Sequence, residues 1–310
     1  GRNILHRAVR GDLVRPIEVE QARKNLFEAR CLRVRPGLDD KVLTEWNATF
    51  CAALAQAAAV TGNPGWFRAA VRIGEFLQDH LRRPEDGRWL RSWQEGRARH
   101  LAYASDYANL IDAFTRLGEL TGKRKWTEAA IQTADEMLDL FWDVGSGGLF
   151  TTGNDAERLI VRSKDLFDGS TPSANAVGAV ALCRLGALTG NDRYRRAAEE
   201  ILATLRDVLP QHPTAFAHVI GALDMLISGT TEVVVVGERE DLATIARAAY
   251  LPRGVLAWGE EYPSPLWEAR QPGWAYVCEN YSCLQPVADG IGLARQLAVG
   301  NRTEHPPRAS

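Results

Sequence analysis

The feature that most constrains this chain is a ten-residue pattern that occurs three times. Thr61-Gly62-Asn63-Pro64-Gly65-Trp66 leads to Ala69-Ala70, and Thr121-Gly122-Lys123-Arg124-Lys125-Trp126 leads to Ala129-Ala130. Thr189-Gly190-Asn191-Asp192-Arg193-Tyr194 leads to Ala197-Ala198. The shared form is T-G-x-x-x-[W/Y]-x-x-A-A, with its glycines 60 and 68 residues apart. A glycine ends one helix in the left-handed conformation. The aromatic then opens a second helix, and the alanine pair lets that helix lie close to its neighbour. Each copy predicts a helical hairpin.

The two helices of a hairpin differ in charge. The stretch from Trp46 to Val60 has no charged residue, and that from Asn175 to Leu188 has only Arg184. Their partners are rich in Arg, Asp and Glu, so the first helix of each pair is expected to be buried and the second to face water. The middle hairpin obeys this less cleanly, since Asp112, Arg116 and Glu119 fall on its first helix. Inner and outer helices alternating at this period describe a mainly α fold, an α/α toroid. Helix-pair solenoids repeat nearer ~34–47 residues.

The spare length lies between hairpins. Asp86-Gly87-Arg88-Trp89-Leu90 and Gly147-Gly148-Leu149-Phe150 read as short β-turn excursions. His212 to Ser228 reads as one more inner helix, and Ile17 to Ala29 as an outer-type helix. After Gly229 the pattern changes. Glu232 to Gly237 reads as a buried strand, Arg239 to Tyr250 as a helix, Val255 to Trp258 as a strand and Trp274 to Cys278 as a third. The division expected is residues 1–230 for the hairpins, 231–300 for a small α/β appendage packed on them and 301–310 for a disordered tail.

Charge and apolar runs exclude some classes. A formal net charge of -2 over 310 residues gives no reason to expect nucleic acid or a membrane surface as partner. No apolar run approaches the ~18 residues that span a bilayer. Arg82, Arg83, Arg88, Arg91, Arg97 and Arg99 form a local basic cluster, read as a solvated loop and helix end. Of five cysteines, Cys51 and Cys183 fall in apolar helices and read as core. Cys278 and Cys283 lack the second pair that a zinc site needs. Thiol chemistry there requires their sulfurs to lie within bonding reach. A reducing cytoplasm is the expected setting, and no metal or cofactor signature is present.

Inner helices of a toroid point their N-termini at one face. That face would gather Asp39, Asp40, Lys41, Glu45, Trp46 and Asn47 from the first, Ser105, Asp106 and Tyr107 from the second, and Asp168, Ser170, Ser173 and Asn175 from the third. Helix dipoles favour the acids there. Aromatic rings beside carboxylates and amides suit a sugar, whose C–H faces stack while its hydroxyls hydrogen-bond. Two opposed carboxylates suit glycoside hydrolysis and a single base suits an epimerase. The expected catalytic groups are Asp39, Asp40, Glu45 and Asp106. Trp46 and Tyr107 are the expected stacking platforms, and Lys41, Asn47, Ser173 and Asn175 the polar contacts. The plainer reading makes Thr44, Ser105, Ser173 and Thr214 helix caps and Asp106 a first-turn acid. His218 reads as a core histidine.

Several stretches together resemble one family. They are Gly1-Arg2-Asn3-Ile4-Leu5-His6, Arg35-Pro36-Gly37-Leu38-Asp39-Asp40-Lys41 with Thr44-Glu45-Trp46-Asn47, Ser173-Ala174-Asn175, and Ala275 to Cys283 with Pro286-Val287. The sequence resembles the spermatogenesis-associated, thioredoxin-domain-containing family along almost its whole length. That resemblance implies a six-hairpin, glycosidase-like barrel preceded by a thioredoxin-like domain, which this sequence does not contain. Eight helices are legible, fewer than six hairpins require, so the chain looks like the C-terminal part of such a protein and is expected to be sticky or poorly cooperative alone. The family supplies no established reaction, and fold alone does not imply one. Two readings follow: a sugar-binding or sugar-processing barrel, and a non-catalytic scaffold for the thioredoxin-like domain. An enzyme would converge titratable groups on a pocket. A scaffold would pair its acids with arginines and show an apolar patch elsewhere.

Overall fold

A computed structural model describes residues 16–158 and 160–300. The Gly1-to-His6 stretch and the tail from 301 lie outside them. The chain divides into two compact units at Asp40 and Lys41. The first carries α1 (Ile17–Cys31), a helix with acidic Glu18 and Glu20 in its first turn and no buried residue.

In the second unit the repeat builds three hairpins: α2 (Thr44–Thr61) with α3 (Pro64–Leu81), α4 (Ala104–Thr121) with α5 (Arg124–Phe141), and α6 (Ala174–Thr189) with α7 (Asp192–Thr204). Gly62, Gly122 and Gly190 cap α2, α4 and α6 at φ 67°, 64° and 70°. A residue with a Cβ would be strained in that conformation. Asn63 and Asn191 then accept the free N–H groups that open α3 and α7. Ala70, Ala130 and Ala198 are fully buried at the helix contacts.

The first helices of the hairpins lie in one row. α2 packs on α4, α4 on α6, and α6 on α8 (Ala217–Ser228), which a 3-10 turn at Pro213–Phe216 introduces. α3, α5 and α7 each back their own partner. This is the inner and outer layering of an α/α toroid, formed here as an arc. α6 sits in mid-row and is buried almost all round. α2 departs from the sequence expectation. One side is buried through Ala48, Cys51, Ala52, Ala55 and Ala58, while Trp46, Phe50 and Val60 are 64%, 57% and 57% exposed. The absence of charge along a helix reports a preference for burial, and on α2 that preference is met on one side only.

The first link is more than a turn. β1 (Val42–Leu43), β2 (Leu90–Gln94) and β3 (Arg97–Leu101) form an antiparallel sheet, with β2 and β3 joined at Glu95-Gly96, both at positive φ. The second link is a single bridge, Trp142 to Leu149. The appendage contains β4 (Thr231–Val235), α9 (Glu240–Ala248), β5 (Gly254–Trp258), β6 (Ala275–Glu279), β7 (Ser282–Cys283) and α10 (Gly290–Gly300). Its sheet runs β5-β4-β6-β7, parallel only between β4 and β5, which α9 connects. α9 and α10 cover one face through Leu242, Leu293 and Leu297. The other face packs on Ala187 and Leu188 at the C-terminal end of α6, and β5 is tied to the inner helices by hydrogen bonds. Trp258 Nε1 donates to the Glu119 carbonyl at 2.7 Å and Arg184 Nη1 to the Gly254 carbonyl at 2.9 Å. The inner helices therefore keep their N-terminal ends for the opposite side.

Candidate functional site

The expected site is the N-terminal face of the inner helices, and the structure shows how Asp106, Glu45 and Asp168 are engaged there. Asp106 lies in the first turn of α4 and is fully buried. Its Oδ2 accepts from the Tyr103 amide at 2.8 Å and Arg91 Nη1 at 2.9 Å. Its Oδ1 accepts from the Glu45 amide, at the start of α2, at 2.9 Å. One carboxylate thus satisfies N–H groups at the entrances of two neighbouring inner helices. Burial pushes its pKa up to about 6, against the pull of Arg91 and the Tyr103 amide.

Glu45 is largely covered and accepts from Ser105 Oγ at 2.9 Å, with Arg91 3.5 Å away. Arg91 comes from β2 and lies over the Tyr103 ring, 4.6 Å from its centroid. Asp168 repeats the device further along the row. It accepts from the Ser173 amide at 2.9 Å and the His218 amide at 2.8 Å, tying the entrance of α6 to that of α8.

The polar and aromatic candidates divide in the same way. Asn175 is fully buried. Its Oδ1 accepts from Leu149 N at 2.7 Å, and its Nδ2 donates to the carbonyls of Leu149 and Asp165 at 3.0 and 2.7 Å. It clamps the second link and offers nothing to a ligand. Ser173 is buried and caps α6 through the Ala176 amide. Tyr107, expected as a stacking platform, has no exposed ring. Its hydroxyl accepts from Arg88 Nη1 at 2.8 Å, and burial raises its pKa. Trp46 is open to solvent, and Asn47 beside it donates to the Leu43 carbonyl at 2.8 Å. Asp39 and Asp40 end the first unit and are exposed; Lys41, also exposed, begins the second. The caps differ in detail. Thr44 is inside α2 and donates to Leu90 O, and Ser105 is inside α4.

The arginines are the residues that sequence reading underestimates. Within the basic cluster Arg97 and Arg99 are both exposed, as expected of a solvated loop. Arg88 is instead buried, held by Asp155 at 2.8 Å, and Arg82 pairs with Glu136 at 2.6 Å. Strand alternation does not mark Arg88, since it and its neighbour Trp89 are both buried.

Titratable groups also meet at the other end of the inner row. A cavity of about 220 Å³ between α2, α4, α9 and β5 is lined by Arg116, Glu119, Arg184 and Arg247. Each is paired: Arg184 with Glu119 at 2.7 Å, Arg116 with Asp112 at 3.2 Å, and Arg247 with Glu240. Burial holds the Arg184 pKa down. Among the described residues no helix is long and apolar enough to cross a membrane.

No family model matches the chain. Human spermatogenesis-associated protein 20 is 28% identical over 299 residues, covering 88% of this chain and 38% of that protein. The rat protein of the same name is 28% identical over 316 residues, covering 91% and 40%. The chain thus spans about two fifths of the length of these curated relatives. Among solved structures, cellobiose 2-epimerase from Spirochaeta thermophila is 18% identical with a TM-score of 0.45, over 54% of this chain and 43% of that one. The glycoside hydrolase family 76 mannosidase of Bacteroides thetaiotaomicron is 15% identical with a TM-score of 0.47, over 56% and 46%. This chain is a homologue of spermatogenesis-associated protein 20 along about nine tenths of its own length.

Proposed function

We propose that this chain is a non-catalytic helical scaffold, which presents the open flank of α2 to a protein partner. The observation that carries this reading is the use made of the acids. Asp106 and Asp168 tie neighbouring inner helices together, and Glu45 and Asp155 are held by arginines. A general acid or base needs a lone pair or proton facing substrate, and Asp106 is enclosed with both oxygens engaged. The flank carries Trp46, Phe50 and Val60, apolar residues on one exposed side of a helix. The partner that fits the resemblance is a thioredoxin-like domain. The test is binding of such a domain, supplied as a separate protein, to this chain and to a Trp46→Asp, Phe50→Asp variant. At least tenfold weaker binding by a variant that melts normally supports the scaffold; equal binding removes it.

One observation favours a second reading, carbohydrate binding. Trp46 opens the first inner helix with its ring in solvent, and Tyr103, 39% exposed, caps the second. Both suit stacking on a sugar. A thermal-shift screen against monosaccharides, amino sugars and short oligosaccharides decides it. A ligand at 100 times its dissociation constant adds about 2.7 kcal/mol. A hit lost in Trp46→Ala establishes the sugar site, and turnover measured on that sugar then separates binding from processing.

A further inference from the structure

The geometry points to a thiol–disulfide exchange site at the free edge of the appendage sheet, formed by Cys278, Cys283 and Arg270. The two cysteines are direct cross-strand partners on β6 and β7 and are joined in a disulfide. β7 is the edge strand, so Cys283 is partly exposed, whereas Cys278 is fully buried. Arg270 places Nη2 3.0 Å from the Cys283 sulfur and 3.6 Å from that of Cys278. Its guanidinium rests on the Tyr276 ring, and Nε donates to the Leu266 carbonyl. Among the described residues no carboxylate pairs with it. A guanidinium without a carboxylate, held against both sulfurs, stabilises whichever thiolate forms.

The exchange balances with an external dithiol as reductant. A thiolate of the dithiol attacks the accessible Cys283 sulfur. The bond to Cys278 breaks, and its electron pair leaves on the Cys278 sulfur as a thiolate facing Arg270. The second thiol of the reductant then attacks its own sulfur in the mixed disulfide and releases Cys283 as a thiolate beside the same guanidinium. The reductant departs as a disulfide, two electrons have passed to the protein, and its two thiol protons end on Cys278 and Cys283.

The bond closes a two-residue hairpin turn, Asn280-Tyr281. Both φ are positive, 49° and 65°, as a primed turn requires, and Tyr281 holds that conformation without being glycine or asparagine. The turn fixes Tyr281, whose hydroxyl donates to the end of α6 at the carbonyls of Gly186 (3.0 Å) and Ala187 (2.9 Å) and whose amide donates to buried Glu232. Asn280 and Tyr281 also wall a cavity of about 240 Å³ against α6 and α8, lined further by Arg195 and Met225. Reduction frees the turn to relax, releases Tyr281 from α6 and opens that cavity.

The experiment is the rate at which dithiothreitol reduces the native chain, read by alkylation and mass spectrometry at Cys278 and Cys283. Complete native-state reduction, reversed by oxidised dithiothreitol, is expected. Arg270→Gln should slow reduction roughly tenfold, and Arg270→Lys should restore most of the rate. A bond reduced only in denaturant overturns the proposal, as does an Arg270→Gln rate equal to wild type. If Arg270→Gln does not fold, wild-type rates with an anionic and a cationic monothiol take its place. The anionic thiol should be faster at low salt and lose its lead at high salt; equal rates overturn the proposal. Hydrogen exchange at 279–284 reads the latch: faster exchange after reduction supports it, and unchanged exchange removes it.

Discussion

Asp106→Asn separates the charge of the tie from its shape. Asp106 has a pKa of about 6 in the fold and an ordinary value near 3.8. A raised carboxyl pKa means that the folded chain holds the proton more tightly than the unfolded one. The stability this contributes is present at low pH and is lost as pH rises from about 4 through 6. Between pH 7.5 and pH 5 the group adds about 1.4 kcal/mol on acidification, or roughly 3–5 °C in melting temperature for a domain of this size. An asparagine at this position cannot titrate, so the increment disappears from the variant. At pH 7.5 the variant also aims an NH₂ group at existing donors and weakens the Arg91 contact, at about 1–3 kcal/mol. The measurement is a melting curve for both proteins at half-unit steps from pH 5 to 8. The difference between them should widen towards pH 5. A constant difference would show that Asp106 does not titrate in this window. A difference that narrows on acidification would contradict a raised pKa for Asp106.

Two further outcomes test the framework. Asn175→Ala leaves two carbonyls and one amide without their partner in a buried link, so it should cost roughly 3–5 kcal/mol and lower the chemical-denaturation midpoint; a loss under about 1 kcal/mol would contradict the clamp. Gly62→Ala meets only the left-handed backbone penalty of about 1 kcal/mol, since its Cβ would project into open space. Gly122→Ala adds a contact at 3.0 Å with the Trp258 ring and should cost clearly more in the same denaturation assay.

Local signals carry far where the physics is local. The three glycines end α2, α4 and α6 because the left-handed cap is a property of one residue and its neighbours. The strand-rich composition after Gly229 specifies β4, β5 and β6 for the same reason. α10 and the β2–β3 hairpin are not legible in this way, because short amphipathic elements take their identity from what they pack against. At the site the sequence supplies the residues but not their occupation. Asp106 is a good first-turn acid in any helix, and nothing local says that Glu45 donates to it from α2 or that Arg91 reaches it from β2.

The sequence by itself determined the hairpins, their capped ends and the layering of charge-poor inner helices against charged outer ones. Those follow from backbone conformation and from the periodic partition of side chains between water and core. Only the tertiary structure decided that α2 keeps an apolar side in solvent while α6 is enclosed, and that Asp106 and Asp168 hold helix ends together. It also placed Arg270 against the sulfurs of Cys278 and Cys283. Burial, desolvation and charge pairing depend on distances between segments far apart along the chain, and those distances exist only once the chain has folded.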